Sequence, residues 1–281
     1  MRPHWPRIIV TLVAVLAMVS GLVWGGALIW SSATKQPLPM DDQCRAESGS
    51  STVTLTLEQA RNATIIASVA FQRGLPARAV TVALATAYQE SGIRNLDYGH
   101  ADSIGLFQQR PSKGWGSIEE IMDPYYSAGK FYDALVRVRD WRTRDVNDVA
   151  QAVQRSAHPE AYRKHVSKAR VLSSVFSGAT PRGFSCKVGS PGKADAKAMN
   201  ALIGKALKGK AESHIAGNTV VAQAANDKLS WAVASLAIAH TAQHGVARVR
   251  VGASDWVHDT RTLASWKGSG DGGPVTVSFR S

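Results

Sequence analysis

The first 30 residues contain a long run without charge. From Ile8 to Trp30 no charged residue occurs, and a bilayer is spanned by about 20 residues. Arg2 and Arg7 precede the run, so the positive-inside rule places the N-terminus in the cytoplasm and the rest of the chain outside. We therefore predict a single-pass plasma-membrane anchor in residues 1–30. A cleaved signal peptide is the alternative, although its apolar region is usually only about 7–15 residues long.

Helical patterns dominate the next part of the chain. Residues 31–52 are polar, show no apolar periodicity and are interpreted as a linker. The capping-box sequence that begins at Thr56 predicts a helix ending near Gly74. Residues 77–89 are almost wholly apolar, which predicts a buried helix. Further helices are predicted around residues 127–138, 145–155 and 159–176, so residues 53–179 form a helical domain.

The pattern changes after this domain. Residues 180–193 contain several Gly and Pro residues and are interpreted as a second linker. Residues 194–244 are Ala-rich and predict mostly helix, whereas residues 246–251 alternate with a period of two, as a strand does. Two shorter strands are predicted near residues 260–266 and 274–279. Residues 194–281 are therefore expected to be a small α+β domain of unknown role, in a chain that is mainly α.

Composition narrows the classes of partner. The chain has 281 residues and a formal net charge of +12, spread along its length. Such a charge favours anionic partners, namely nucleic acid, lipid head groups or an acidic wall polymer. No nucleic-acid-binding motif is present, so we expect no nucleic-acid partner. A single span without an intramembrane ionisable residue also argues against a transporter.

The only two cysteines lie on the outer side of the predicted anchor. Cys44 and Cys186 bracket the helical domain, and in an oxidising compartment such a pair predicts one disulfide. Two free thiols are the alternative. His240 and His244 are spaced as helical metal ligands are, but no third ligand is near in sequence, so we expect neither a metal site nor a cofactor.

Glu90 is the candidate catalytic acid. Cleavage of a glycosidic bond requires a carboxyl group that is protonated near neutral pH. Glu90 lies at the carboxyl end of the apolar helix over residues 77–89, where desolvation and the negative end of the helix dipole both disfavour the ionised form. A solvated surface glutamate is the alternative interpretation.

The residues after Glu90 identify a family resemblance. Glu90-Ser91-Gly92 is followed, fifteen positions after the Glu, by Gly105-Leu106-Phe107-Gln108-Gln109-Arg110-Pro111. This pattern resembles the lysozyme-like lytic transglycosylase superfamily. Three further stretches resemble a membrane-anchored actinobacterial branch of it: Gly114-Trp115-Gly116, Asp123-Pro124-Tyr125-Tyr126 and Ala150-Gln151-Ala152-Val153-Gln154-Arg155-Ser156.

The resemblance implies a lysozyme-like fold and a role for each matching residue. Glu90 is the acid and base, and Ser91 orients its carboxyl or binds the substrate. Gln108 faces the cleft and binds a sugar hydroxyl or N-acetyl group, with Gln109 beside it in the motif. Tyr162 matches the late cleft tyrosine of the family.

Two positions depart from the family pattern. The usual Ala-Tyr-Asn-x-Gly motif is replaced by residues 152–156, so Gln154 stands in place of the Asn and is expected to bind substrate. Arg110 adds a cation after the glutamine loop, facing an acidic part of the substrate.

Aromatic residues cluster in the segment expected around the groove, where sugars stack on aromatic faces. These residues are Tyr98, Phe107, Trp115, Tyr125 and Tyr126. Core packing is the alternative for each of them. Trp115, between two glycines, is the preferred exposed candidate for binding substrate.

The family implies cleavage of peptidoglycan strands at the MurNAc–GlcNAc β-1,4 bond by one glutamate, which leaves 1,6-anhydro ends. A lysozyme-type hydrolase would need a second carboxylate, for which Asp97 and Asp102 are candidates. A scaffold or wall-binding protein that has lost turnover is the other alternative. Partners in the envelope other than the wall and the membrane are not defined by the sequence.

Overall fold

In the computed structural model, residues 41–156 and 158–280 are described, and they combine helices with two antiparallel sheets. The prediction of a mainly α fold behind a transmembrane helix was therefore wrong, and the fold is α+β. No helix in the described part of the chain is long and apolar enough to cross a membrane. The anchor expected at Ile8–Trp30 lies outside the described residues.

The first sheet brings together two segments that were interpreted as linkers. It consists of β1 (Gln43–Ser48), β2 (Ser51–Leu55) and β3 (Phe184–Lys187), in the order β2-β1-β3. Cys44 and Cys186 are register partners on β1 and β3 and form a disulfide, so the predicted disulfide is confirmed. The strands were missed because each is short and β1 pairs with β3 from far along the chain, which local periodicity does not reveal.

Local capping signals define the first two helices. Helix α1 (Leu57–Gln72) begins at a capping box in which Thr56 Oγ1 accepts from the Gln59 N–H and Gln59 Oε1 accepts from the Thr56 N–H. Helix α2 (Ala77–Ser91) follows Pro76 and ends at Gly92, which adopts the left-handed conformation that favours glycine. The interior of α2 is buried throughout, so the helix reaches the surface only near its two ends, at residues 77–78 and 88–90.

The remaining helices of this half surround α2. They are α3 (Ile118–Met122), α4 (Pro124–Leu135), α5 (Val146–Gln154) and α6 (Val166–Phe176). Helix α5 begins at the predicted cap Asp145, whose side chain accepts from the Asn147 N–H. Helices α4, α5 and α6 all contact α2, so the loops at its end are fixed by three neighbours.

The second sheet is larger than the sequence predicted. After α7 (Ala196–Ala206), the hairpin β4 (Ala211–Ala216) and β5 (Thr219–Ala224) occupies a segment predicted to be helical. The prediction failed because alanine favours helices, whereas here Val220, Ala222 and Ala224 alternate inward along β5.

Two helices and then three strands complete the second half. Helices α8 (Asp227–Ala239) and α9 (Thr241–His244) precede β6 (Val246–Val251), β7 (Ser254–Val257) and β8 (Val275–Phe279), and the sheet order is β4-β5-β8-β6-β7. Strand β6 agrees with the predicted 246–251, and β8 with 274–279. The strand predicted near 260–266 does not form.

The two halves of the described chain share one core. Trp266 Nε1 donates to the Phe184 carbonyl at 2.9 Å, and Trp256 Nε1 donates to Ser185 Oγ at 3.0 Å. Helix α8 also packs on α1 and α6. The disulfide and this packing hold β3, which follows the helical half directly, against the second half.

Candidate functional site

Glu90 is held at the carboxyl end of α2 by a hydrogen bond from a distant tyrosine. The apolar residues of α2 anchor the helix in the core, while Glu90 itself is half-buried. The Tyr162 hydroxyl donates to Glu90 Oε1 at 2.8 Å across 72 positions of sequence. The structure thus brings together two residues that the family resemblance selected independently.

The surroundings of Tyr162 keep its hydroxyl protonated, so that it can donate a hydrogen bond. Its side chain is fully buried, and this burial, followed by the negative charge of Glu90 and the hydrogen bond to it, raises the pKa of the Tyr162 hydroxyl well above its usual range. The phenol therefore keeps its proton at any physiological pH. A neutral, immobilised donor fixes one carboxyl oxygen of Glu90 and leaves the other for chemistry.

A second contact joins the same two segments. His165 Nε2 lies 3.3 Å from Gln89 Oε1, and the His165 ring stacks on Tyr88 at 5.4 Å between centroids. Burial lowers the pKa of His165, with neighbouring lysines adding to the effect. The last turn of α2, from Tyr88 to Glu90, is therefore packed against residues 162–165.

Ser91 connects the end of α2 to the glutamine loop. Its hydroxyl is buried and donates to the Leu106 carbonyl at 2.7 Å, with the Ala87 carbonyl at 3.1 Å. A buried hydroxyl engaged with two backbone carbonyls has no group free for a sugar. Ser91 therefore positions the loop that carries Gln108 next to the residue that carries the acid.

Gln108 is folded over a neighbouring loop. It adopts a left-handed backbone conformation at φ 47°, and its Nε2 donates to the Tyr98 carbonyl at 3.2 Å. Its Oε1 lies where a side chain at Gly99 would collide with it, so the glycine permits this approach. Gln108 is half-buried, and its amide is positioned by backbone contacts rather than free in solvent.

The two other predicted glutamines differ in exposure. Gln109 is buried, and its Nε2 donates to the Ser127 carbonyl at 3.1 Å. Gln154, at the end of α5, is half-buried and donates to the Phe107 carbonyl at 2.8 Å. Gln154 thus bonds to the carbonyl that follows the one bonded by Ser91, a role that the sequence analysis did not anticipate.

A cleft of about 880 Å³ opens beside this loop. Gln108, Trp115 and Gln154 line it, and Gln109 contributes to its wall. Glu90 is not among the lining residues, and it is connected to the cleft through the Ser91–Leu106 hydrogen bond. The predicted substrate-binding side chains other than Ser91 and Tyr162 therefore meet in one cleft, which Glu90 does not line.

The two carboxylates considered as a second catalytic group, Asp97 and Asp102, differ in their surroundings. Asp102 Oδ1 accepts from Arg110 Nε at 2.5 Å, and its Oδ2 accepts from the Ser112 N–H at 2.8 Å. The bonds from Ser112, together with Arg110, hold the pKa of Asp102 well below its usual range. Asp102 therefore stabilises its own loop. It also forms an ion pair with Arg110, the cation that was expected to face substrate. Asp97 is exposed.

The aromatic candidates divide between core and surface. Phe107 is fully buried and stacks on Phe131 at 4.5 Å. Tyr126 packs against the backbone of Gly116, and Tyr98 is 63% exposed. Trp115 is half-buried in the wall of the cleft, which makes it the aromatic ring best placed to stack on a sugar.

The histidines do not form a metal centre in the described part of the chain, where no cluster of three potential ligands occurs. His240 is buried, its Nδ1 lies 2.8 Å from the Leu236 carbonyl, and burial lowers its pKa to about 4. It is a neutral core residue that caps α8.

Sequence reasoning missed the charge of the cleft. Six of its lining residues are basic. Three of them lie in the arginine-rich stretch 137–144, and the fold brings the other three to the same cleft from residues 110–113 and 155. No known family profile matches this chain, and no curated protein matches it significantly.

Proposed function

We propose that this protein is a peptidoglycan-cleaving enzyme of the lytic transglycosylase type, acting on the MurNAc–GlcNAc β-1,4 bond with Glu90 as its catalytic residue. The observation that carries the proposal is the 2.8 Å hydrogen bond from the buried Tyr162 to Glu90. This bond supports a catalytic role because it immobilises a carboxyl group at a helix end, next to a loop whose glutamines line a cleft.

The proposed reaction uses one carboxyl group twice. Protonated Glu90 donates its proton to the glycosidic oxygen, and the C1–O bond breaks while the N-acetyl group of the same sugar stabilises the positive charge at C1. The carboxylate of Glu90 then takes the proton of the C6 hydroxyl, whose oxygen bonds to C1. The products are a free 4-hydroxyl end and a 1,6-anhydro-muramyl end, and the proton returns to Glu90.

The surroundings of the alternative carboxylates favour this scheme over two-carboxylate hydrolysis. A hydrolase requires a nucleophile or base facing the acid across the scissile bond. Both oxygens of Asp102 are bonded within its own loop, and Asp97 is exposed. A single-residue mechanism needs no such partner.

The disulfide is consistent with a place of action outside the cytoplasm. Structural disulfides form and persist in oxidising compartments such as the cell exterior and the envelope. We therefore propose that residues 41–280 act on the outer side of the plasma membrane, where the wall polymer lies.

The chemical form of the products tests the proposal. We expect purified wall digested with the full-length protein to yield muropeptides that end in 1,6-anhydro-muramic acid, identified by mass spectrometry. Reducing muramic acid ends would instead indicate hydrolysis. Buffer-treated wall and wall treated with a lysozyme-type hydrolase provide the two reference product patterns.

A wall-binding scaffold is the second candidate, and one observation favours it. Glu90 does not line the cleft, so a protein that only holds the glycan could keep the same loop. Binding of wall without any new glycan ends in the same digestion would support the scaffold and contradict the enzyme.

Removing the hydroxyl of Tyr162 tests whether it positions the acid. A hydrogen bond to a charged group contributes about 1.5–3 kcal/mol, so we expect Tyr162→Phe to lower the rate of wall cleavage by roughly 10- to 100-fold while Phe fills the same space. Tyr125→Phe is the matched control, because the buried Tyr125 hydroxyl has no hydrogen-bond partner among the described residues. Equal rates for both variants would contradict a positioning role.

A further inference from the structure

The cleft beside the glutamine loop has a strongly cationic wall. Its lining residues include six cations and no carboxylate. These cations are Arg110, Lys113, Arg137, Arg139, Arg144 and Arg155. An accumulation of one sign of charge in a concave surface focuses the field and attracts ligands of the opposite sign.

Half of these cations are already neutralised by neighbouring carboxylates. The pairs are Arg110 with Asp102 at 2.5 Å, Arg139 with Asp140 at 3.3 Å and Arg144 with Asp148 at 3.9 Å. Within the described residues, Lys113, Arg137 and Arg155 have no carboxylate oxygen within the 4.0 Å of an ion pair. All three are exposed, so three positive charges remain available to a ligand in the cleft.

The available cations adjoin the predicted sugar-binding groups. Arg155 directly follows Gln154 and, at φ 53°, turns the chain at the end of α5. Arg137 lies in the turn after α4, and both arginines line the cleft together with Gln108 and Trp115. A ligand bound along this cleft would therefore meet amide, aromatic and guanidinium groups in one continuous surface.

We propose that the cationic wall, with Arg137 and Arg155 as its principal groups, binds free carboxylates of the peptide stems carried by the glycan strand. This inference rests on the proposed function, since it assigns the form of wall polymer that the cleft accepts. The sugar backbone of the strand carries no charge, so it gives these cations no partner. Each muramic acid bears a stem with carboxylates, which the planar guanidinium fork matches in two parallel hydrogen bonds.

Binding to two forms of the same strand tests the inference. The full-length protein carrying Glu90→Gln, which prevents cleavage during the measurement, is titrated with soluble stem-bearing glycan strands and with the same strands after their carboxylates have been converted to amides by carbodiimide and excess ammonia. We expect Arg137→Gln/Arg155→Gln in this background to weaken binding of stem-bearing strands about tenfold, which corresponds to about 1.4 kcal/mol. Binding of the amidated strands, which carry no free carboxylate, should change less than twofold, and added salt should reduce the difference.

A charge-matched control separates the cleft from the net charge of the protein. Arg170→Gln/Arg261→Gln removes two exposed arginines outside the cleft and should leave binding of both strands unchanged. An equal loss on amidated strands, or no loss on strands with free stem carboxylates, would overturn the inference. The inference would also be overturned if the protein bound a phosphate-bearing wall polymer more tightly than it binds stem-bearing strands that contain no phosphate.

The inference and the proposed function fail in different ways. If wild-type protein produces no new glycan ends while the arginine variants lose stem-dependent binding, the stem site stands and the enzymatic proposal falls. If the wild-type protein produces anhydro ends but the arginine variants bind stem-bearing strands as well as the parent Glu90→Gln protein does, the enzymatic proposal stands and the stem site falls.

Discussion

Replacing Glu90 by Gln is expected to abolish cleavage of purified wall, with a rate loss of about 10³- to 10⁴-fold, at the upper end of what general acid–base catalysis contributes. The expected loss is large because the proposed mechanism uses the same carboxyl first as acid and then as base. Gln cannot donate a proton to the glycosidic oxygen, and its amide cannot take the C6-hydroxyl proton. Release of soluble muropeptides measures the rate.

The design of this variant separates chemistry from folding. The amide oxygen of Gln can still accept the Tyr162 hydrogen bond seen at Glu90 Oε1, so the free energy of unfolding should be nearly unchanged. Glu119→Gln, an exposed substitution in the first turn of α3, removes the same charge elsewhere and should retain full activity. Full activity of Glu90→Gln would exclude Glu90 as the catalytic residue.

The Tyr162 variant extends this comparison. If Tyr162 acts only through Glu90, Tyr162→Phe should add little to the loss already caused by Glu90→Gln, because effects of residues that act as a unit are not additive. Additive losses would indicate that Tyr162 touches the substrate directly. The double variant therefore distinguishes a positioning residue from a binding residue.

Local signals allowed the start of the fold to be predicted from sequence. The capping box at Thr56 and Gln59 and the left-handed Gly92 act within one turn of the helix they bound, so nearby residues are sufficient to fix them. The sheets were not predictable in this way. Strand β1 pairs with β3, about 140 residues later, and the Ala-rich β4–β5 hairpin has the composition of a helix.

The candidate site, like the fold, was only partly predictable from the sequence. Glu90 was selected by its position in a motif and Tyr162 as the match to the late cleft tyrosine of the family that the sequence resembles, and the structure joins the two by a hydrogen bond. Ser91 and Gln109 are in the same motifs, yet both are buried and bonded to backbone carbonyls. A motif indicates which residues belong to a site. Whether an amide faces a cleft or a carbonyl depends on tertiary neighbours that the motif does not contain.

The basic residues of the cleft show most directly what could not be predicted from the sequence alone. Arg110 was expected to face substrate because it follows the glutamine loop, but it forms an ion pair with Asp102. Arg137 and Arg155 are in different segments and were not selected, yet the fold brings both to the cleft. Charge patterning along the sequence predicted an anionic partner for the chain as a whole. Only the fold shows where such a partner could bind.

Loss of the Cys44–Cys186 disulfide is expected to lower the free energy of unfolding by about 5 kcal/mol. The disulfide closes a segment with a sequence separation of 142, and in the chain-entropy model a loop of this length contributes about 5 kcal/mol by restricting the unfolded chain. Since domains are stabilised by only about 5–15 kcal/mol in total, this is a large share. Urea unfolding of Cys44→Ala/Cys186→Ala, compared with the wild type, measures the difference.

Reduction of the wild-type protein provides the control that isolates the cross-link. Both cysteines are completely buried, so the Ala variant also loses contacts of the sulfur atoms, whereas the reduced wild type keeps both sulfurs in place. If constraint of the unfolded chain is the main effect, reduced wild type and double variant should lose similar amounts. A reduced wild type as stable as the oxidised one would show that the antiparallel pairing of β1 with β3 holds the ends of this segment together without the covalent bond.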